Sequence, residues 1–417
     1  MPDDGKPAID AQADRLRLPT PPASVWLLGA SLVLIAFNLR AAVSSVGPVL
    51  RDIIATSGLS AAGASVLTTL PSLCFGLAAL AATGLSRRLG PERAVLAGLA
   101  ALTVGLVLRG TTGLPGLFAG QVIGTAGIGV INVLLPGLVK RDFSRRVALM
   151  TGLYTMAFCA GAAGAAGATV PLALALGGWG GGLAIWALPA GLAALIWTFQ
   201  VPRGVRVQAH AGFVVRGLWS DRLAWQVTLF MGLQSALAYL VFGWLAPILR
   251  DRGLSAVDAG LVLSVSVVAQ AAASLVAPAL ATRGPGQSLA NVLSVALCMV
   301  GLMGCMFAPL GTVWLWAVVL GLAQGALIAI ALTVIVLRAP DPHVAAHLSG
   351  MAQSVGYLLA SAGPLLAGLL HGWTGGWGAV AAFSLAIGAA AALFGYGAGR
   401  ARHVGARSVR LENLPIG

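Results

Sequence analysis

Acidic side chains are scarce in this chain. Of its 417 residues 12 are Asp or Glu, and charged residues of both signs reach only 9%. Soluble domains carry about 25%, so a water-exposed surface of ordinary polarity is excluded. Cysteine is equally sparse: Cys74, Cys159, Cys298 and Cys305 all fall inside apolar runs without a metal-ligand spacing. That argues against a disulfide framework and reads as small packing residues. The pattern nearest to a metal site, "HVAAH", puts His343 and His347 on one helical face. Lacking a third ligand nearby, it reads as a polar helix start. No metal and no cofactor is expected. A membrane enzyme would need convergent His, Cys, Asp or Glu in its spans, and a receptor large soluble domains; neither is present, which leaves that class a remote alternative.

What fills the chain is apolar: 58% of it is hydrophobic, and 56 residues are glycine. In lipid, small residues let helix backbones approach closely, so glycine here does not signal disorder. A spanning helix needs about 20 apolar residues, and twelve such runs are present, at 24–49, 60–86, 92–111, 114–138, 147–172, 179–200, 223–249, 256–281, 287–309, 311–338, 345–371 and 374–398. The expectation is an all-α membrane protein. The first 23 residues are polar and proline-bearing, which does not match a removable signal peptide.

Basic residues set the expected orientation, because positive charge is retained on the cytoplasmic side. With the N-terminus inside, twenty of the 25 Lys and Arg fall in cytoplasmic segments, against Arg51, Arg109, Arg250 and Arg252 outside and Arg40 within a span. Both termini are therefore expected in the cytoplasm of a bacterial cell, with the protein in its inner membrane. The net charge of +13 follows from topology, and nucleic acid is not needed as a partner. A monomer in lipid is expected.

The chain repeats itself. "PVLRDIIATSGLSAAGA" from Pro48 returns as "PILRDRGLSAVDAG" from Pro247, and Gly127, Lys140 and Gly152 are matched by Gly325, Arg338 and Gly350 at one offset of 198. The repeat predicts two pseudo-symmetric six-helix halves, 24–200 and 223–398, joined by a basic linker, 201–222, with cytoplasmic tails at 1–23 and 399–417. Repeats of this kind mark secondary transporters.

The specific residues resemble the cyanate and 2-nitroimidazole transporter family of the major facilitator superfamily. They are "NLR" at 38–40 with "SSVGP" at 44–48, "LLPGLVKRDF" at 134–143, "MTGLYTMA" at 150–157 and "FMGLQSALAYLVFGWLAPIL" at 230–249. The resemblance implies the major facilitator fold, with substrate bound between the halves and spans one, two, four, five, seven, eight, ten and eleven lining the cavity. Two departures stand out. The superfamily's loop between spans two and three usually carries an aspartate where "TGLSRRLGPER" has Arg87, which puts the usual loop charge network in doubt. The family's "WLP" is "WLAP" here, Trp244 to Pro247.

Arg40 is the residue that most needs explaining. An arginine at a helix centre costs about 3 kcal/mol even on the lenient insertion scale and is normally partnered, yet every acidic residue lies in a tail, a loop or a span end. Snorkelling or backbone carbonyls would satisfy it structurally; an anionic or electron-rich substrate would satisfy it functionally, since guanidinium offers paired donors to a carboxylate, a nitro group or a small linear anion. Carrying the offset of 199 from Pro48 to Pro247 back to position 40 gives Tyr239, so a tyrosine should face the arginine from the other half. Tyr154 and Tyr357 lie in the other cavity spans, five and eleven. Substrate-contact candidates are thus Arg40, Tyr239, Ser44, Asn132, Tyr154, Gln234, Gln353 and Tyr357, with Ser44 ranked above Asn38 because it shares Arg40's helix face. Packing and helix-to-helix hydrogen bonding are the plain alternatives for each. Trp244 and Phe37 are further wall candidates, and "GAAGAAG" at 161–167 reads as a close contact between the halves.

The function expected is a carrier of a small anion or electron-rich molecule working by alternating access, with proline and glycine in spans one, four and seven easing the bends. Export of hydrophobic compounds is the alternative, disfavoured by the lack of a buried acid. Coupling to protons is open, since no carboxylate sits in a span and His371 lies at an outer span end.

Overall fold

The computed structural model describes residues 22–143, 146–201 and 213–410. Most of the expected N-terminal tail and half of the linker, with their basic residues, lie outside the described residues. Twelve membrane-length helical spans are found: Trp26–Ser57, Ala61–Ala82, Pro91–Thr111, Gly113–Val139, Gly152–Ala175, Trp179–Thr198, Arg222–Asp251, Ala256–Ala281, Ser288–Phe307, Leu310–Arg338, His343–Thr374 and Gly378–Ala398. They are called spans one to twelve below. Large apolar side chains such as Leu80, Leu174, Leu188 and Leu393 stand exposed on the outer surface, where acyl chains would cover them. The end of the bundle bearing residues 22 and 399–410 is the near end, and the opposite one the far end.

Three spans are broken, each for the same reason. Span one is Pro22–Ser44 followed by Val46–Ser57, span six is Trp179–Ala184 followed by Ala187–Thr198, and span eleven is Pro342–Ala360 followed by Ala362–Thr374. Pro48, Pro189 and Pro364 are each the third residue of the second segment. A proline gives no N–H to the carbonyl four residues back and its ring clashes with it, but in a first helical turn that N–H is not required. The helix therefore stops and restarts. Bends expected in spans four and seven do not break the helix: Pro136 and Pro247 sit inside continuous helices. The interruptions fall in spans one, six and eleven instead.

Arg109, expected among the outer charges, is turned into the bundle and only 2% exposed. Its guanidinium donates to the Ala42 carbonyl at 2.7 Å, to Gln121 Oε1 at 2.9 Å and to Ser45 Oγ at 3.0 Å. It thus satisfies polar groups freed at the break in span one. Asn38 braces a second broken span, donating to the Leu34 carbonyl and to the Pro189 carbonyl of span six.

At the far end the halves are pressed together. Gly47 of span one meets the Phe242 backbone, Gly243 meets Thr68, Gly260 meets the Ala166 backbone, and Gly368 meets Ser65 and Trp244; a Cβ at any of the four would crowd its neighbour. The "GAAGAAG" stretch lies in this seam as expected: Gly260 of span eight meets the Ala166 backbone within it and Gly167 faces Leu261 and Ser264, while Gly161 packs on Phe37 of its own half.

At the near end, the loop network survives the missing aspartate. Arg141, ending span four, pairs with Glu92 at the start of span three and with Asp142, both at 2.6 Å. Glu92, five residues after Arg87, supplies the acid. A two-stranded antiparallel ribbon, Phe213–Arg216 with Arg407–Arg410, ties the linker to the C-terminal segment.

Candidate functional site

Arg40 sits half-buried on the first segment of span one, one turn before the break. Its guanidinium carbon lies over three aromatic rings: Phe158 of span five at 4.6 Å, Phe242 of span seven at 5.2 Å and Tyr239 of span seven at 5.9 Å. Each cation–π contact of this kind is worth about 0.5 to 2 kcal/mol. Among the described residues Arg40 makes neither a hydrogen bond nor an ion pair. The ring faces stabilise its charge while its five N–H donors stay available to a ligand.

Tyr239 extends the group. Its ring packs against Tyr357 at 6.2 Å and Phe75 at 6.1 Å, and Phe75 and Tyr357 are 6.2 Å apart, closing a triangle from spans seven, eleven and two. No hydrogen bond from the Tyr239 or Tyr357 hydroxyl is found among the described residues. The result is one cation and two phenols set among five rings at the seam between the halves, with no acid among them.

The remaining sequence candidates are placed differently. Gln234 is buried and spends its amide on its own helix, bonding the Met231 carbonyl at 3.2 Å and Ser235 Oγ at 2.8 Å. Gln353 donates to Ser349 Oγ at 2.8 Å. Ser44 is fully buried and its hydroxyl has no partner. Asn132 and Tyr154 are half-buried, and no contact joins them to Arg40. Trp244 is buried and committed to the Pro364 carbonyl at 3.0 Å, whereas Phe37 packs on Trp186. The structure therefore unites Arg40, Tyr239 and Tyr357, and adds Phe75, Phe158 and Phe242. Sequence reading missed these three because a phenylalanine in a membrane span carries no signal beyond packing.

Above the site, at the far end, lies a reciprocal ion-pair gate. Arg51 Nη1 is 3.2 Å from Asp251 Oδ1, and Arg250 Nη2 is 2.8 Å from Asp52 Oδ1. These are the repeated "RD" dipeptides of the two halves, each arginine taking the other half's aspartate. A two-fold relation brings residue i of one half to residue j of the other and the reverse. The signal was thus in the sequence as the repeat itself.

The described acids are all used at span ends, as gate partners (Asp52, Asp251), in the Glu92–Arg141–Asp142 network, as helix caps (Asp221, Asp341) or as acceptor from the Ser255 cap (Asp258). No group of three potential metal ligands occurs among the described residues.

A family model described as Major Facilitator Superfamily matches residues 32–364. The chain is 38% identical over 388 residues to the 2-nitroimidazole transporter of Escherichia coli (strain K12), covering 91% of this chain and 96% of the relative. It is 31% identical over 349 residues to the cyanate transport protein CynX of the same organism, covering 83% and 90%. Among solved structures, a bacterial homolog of the human lysosomal transporter Spinster in an inward-facing, unoccupied conformation superposes with a TM-score of 0.72 at 16% identity, covering 92% of this chain and 98% of that one. The nucleoside transporter NupG gives 0.71 at 14%, covering 89% and 98%. At such identities these two speak for the fold alone.

Proposed function

Since the chain belongs to the cyanate and 2-nitroimidazole transporter family of the major facilitator superfamily, we propose that it carries a small, planar or linear, electron-rich solute, anionic or nitro-bearing, bound at Arg40. The observation that carries the reading is the guanidinium itself: charged, set among aromatic rings, and without an acid or a hydrogen-bond acceptor of its own among the described residues. A nitro or carboxylate group would take the paired donors. Tyr239 and Tyr357 would donate to the same acceptors, and Phe75 and Phe158 would wall an aromatic ring or exclude water from a linear anion.

Transport in this family's fold works by alternating access. With the far end sealed by the Arg51–Asp251 and Arg250–Asp52 pairs, substrate would exchange with Arg40 from the near end, and rocking of the halves would reverse the exposure. Arg40 within its aromatic box also speaks against the alternative, export of hydrophobic compounds, for those that are cationic, since these would meet the guanidinium head on.

The test is a panel of radiolabelled small anions and nitroheterocycles offered to reconstituted liposomes. Saturable uptake of a member carrying a nitro, carboxylate or linear anionic group supports the reading. Transport confined to hydrophobic compounds without such a group would replace it. The cytoplasmic placement of both termini is likewise proposed, from the charge distribution. Cysteines at positions 10, 210 and 405 should resist an impermeant maleimide in intact cells, and labelling of all three would invert the topology.

A further inference from the structure

The far gate is symmetric in its ion pairs but not in what surrounds them. Asp251 has companions in its own half that Asp52 lacks: Trp377 Nε1 donates to Asp251 Oδ2 at 3.1 Å, and His371 Nε2 lies 3.9 Å from the same oxygen. The His371 and Trp377 rings stack at 3.9 Å and 11°, which fixes the imidazole beside the carboxylate. His371 Nδ1 is buried without a partner. The equivalent tryptophan of the first half, Trp179, bonds Thr56 Oγ1 instead, and residue 173, which the same offset of 198 pairs with position 371, is an alanine. A titratable group therefore stands on one side of the gate only. Of the described histidines, His343, His347 and His403 all lie at the near end.

We infer that His371 with Asp251 is a proton-binding site of the far gate, and that protonation there loosens the contact between the halves. The direction follows from which half each group belongs to. His371 and Asp251 both move with the second half, whereas Arg51 reaches Asp251 from the first. An imidazolium beside Asp251 competes with Arg51 for one carboxylate and repels it, so the cross-half pair weakens while the pair within the half strengthens. Linkage gives the same sign. Opening removes Arg51, the cation one contact from His371, and it removes Asp52, an anion two contacts away behind Arg250. The nearer charge dominates, so the open gate binds the proton more tightly and the proton in turn favours the open gate.

No other charge alters the sum. Span seven contributes Arg250 and Asp251, already counted, and Arg252, whose guanidinium is held by the Cys305 and Ala308 carbonyls. The second segment of span one contributes Arg51 and Asp52. The far-end part of span two and all of span twelve carry no ionisable side chain against His371. This gate acts whatever solute Arg40 binds, and acidity outside would bias it toward accepting one from that side.

The experiment measures the gate without substrate, so its outcome is independent of the carrier reading. Spin labels on Ala55→Cys and Gly311→Cys, exposed far-end positions of the two halves, are placed in a background with the four native cysteines replaced by alanine. Their distance distribution is recorded in lipid nanodiscs between about pH 5 and pH 8. The expected result is a growth of the long-distance population at acid pH, by about tenfold relative to the short one for each unit of pKa difference between the gate states. This pH dependence should be absent in His371→Gln and in His371→Phe, the latter keeping the stack on Trp377. Arg51→Gln should populate the long distance at both pH values. Hydrogen exchange of segments 46–57 and 247–254 in the unmodified chain, corrected for the intrinsic pH dependence, should rise at acid pH in parallel and supplies a readout free of cysteine variants. A wild-type gate that ignores pH, that closes further in acid, or whose response survives both His371 variants overturns the proposal.

Discussion

The guanidinium carbon of Arg40 lies 5.9 Å from the centroid of the Tyr239 ring, and the two residues hold equivalent positions in the two halves of the repeat. A pseudo-two-fold axis thus places a fixed cation opposite a phenol, where a strictly repeated residue would have placed two like groups in repulsion. The difference between the halves makes the site polar in one direction. Under the proposed function a small ligand would be held by charge from one half and by a hydroxyl from the other, and bridging of this sort would change as the halves rock.

Arg40→Lys keeps the charge and part of the cation–π energy but loses the planar pair of donors. Substrate binding, read as thermal stabilisation of purified protein by substrate, should weaken at least about tenfold, since a hydrogen bond to a charged group is worth about 1.5 to 3 kcal/mol. Abundance in the membrane should change far less. Arg40→Gln should lose binding as well and gain stability, because it removes an unpaired charge from the bundle interior. Unchanged substrate binding to Arg40→Gln would reduce the arginine to a structural residue.

Tyr239→Phe tests the opposite half. The ring contacts to Arg40, Phe75 and Tyr357 survive the substitution, and only a hydroxyl with no hydrogen bond among the described residues is removed. Protein stability should move by no more than about 0.5 kcal/mol, while substrate affinity should fall by tenfold or less, the worth of one ordinary hydrogen bond, about 0.5 to 1.5 kcal/mol. A loss of stability with no loss of affinity would mark the hydroxyl as a packing group.

Arg109→Met should destabilise the protein by about 2 kcal/mol or more. The apolar chain fills the space but strands Gln121 Oε1 and leaves the Ala42 carbonyl only the Ser45 hydroxyl, and a buried acceptor left unpaired costs about 1 to 3 kcal/mol. The melting temperature in detergent reads the effect. A variant as stable as the parent would show that the break in span one needs no support.

Asp341 caps span eleven, accepting from the backbone N–H groups of His343 at 2.8 Å and Val344 at 2.9 Å, and it also takes the Ser408 hydroxyl at 3.1 Å. These bonds, that of Val344 foremost, hold its carboxyl below the usual carboxylate range. A depressed pKa stabilises the fold above the unfolded value of about 3.9 and loses that contribution as pH falls through the folded value. Asp341→Ala should therefore cost about 1 kcal/mol, the common worth of an N-cap, near neutrality. The gap to the parent should close in acid. A gap independent of pH would mean that the carboxylate is not what caps the helix.

Position along the chain determined a good deal. Twelve spans, their order and the two-fold repeat follow from the length of apolar runs and from recurring residues, because in lipid a backbone has few ways to satisfy its polar groups other than as a helix. The break in span one was legible at Pro48, but those at Pro189 and Pro364 were not, because Pro136 and Pro247 remove the same hydrogen bond inside helices that stay continuous. That Arg40 lacks an acid at its depth could be read from where the twelve acids fall, and Tyr239 as its opposite number came from the offset alone.

Only the folded chain decided which groups meet. Gln234 and Ser44 have the right chemistry and the right spans, yet one is turned onto its own helix and the other is sealed, because rotation of a span about its axis depends on packing against neighbours that sequence does not name. Arg109 looked like an outer charge and is a buried brace, since its helix presents that face to span one. The phenylalanines around Arg40, and the histidine beside Asp251, acquire meaning from contacts between spans that lie more than 100 residues apart in the chain. Local pattern carries the helices. The site and its gate come from the way the two halves press together.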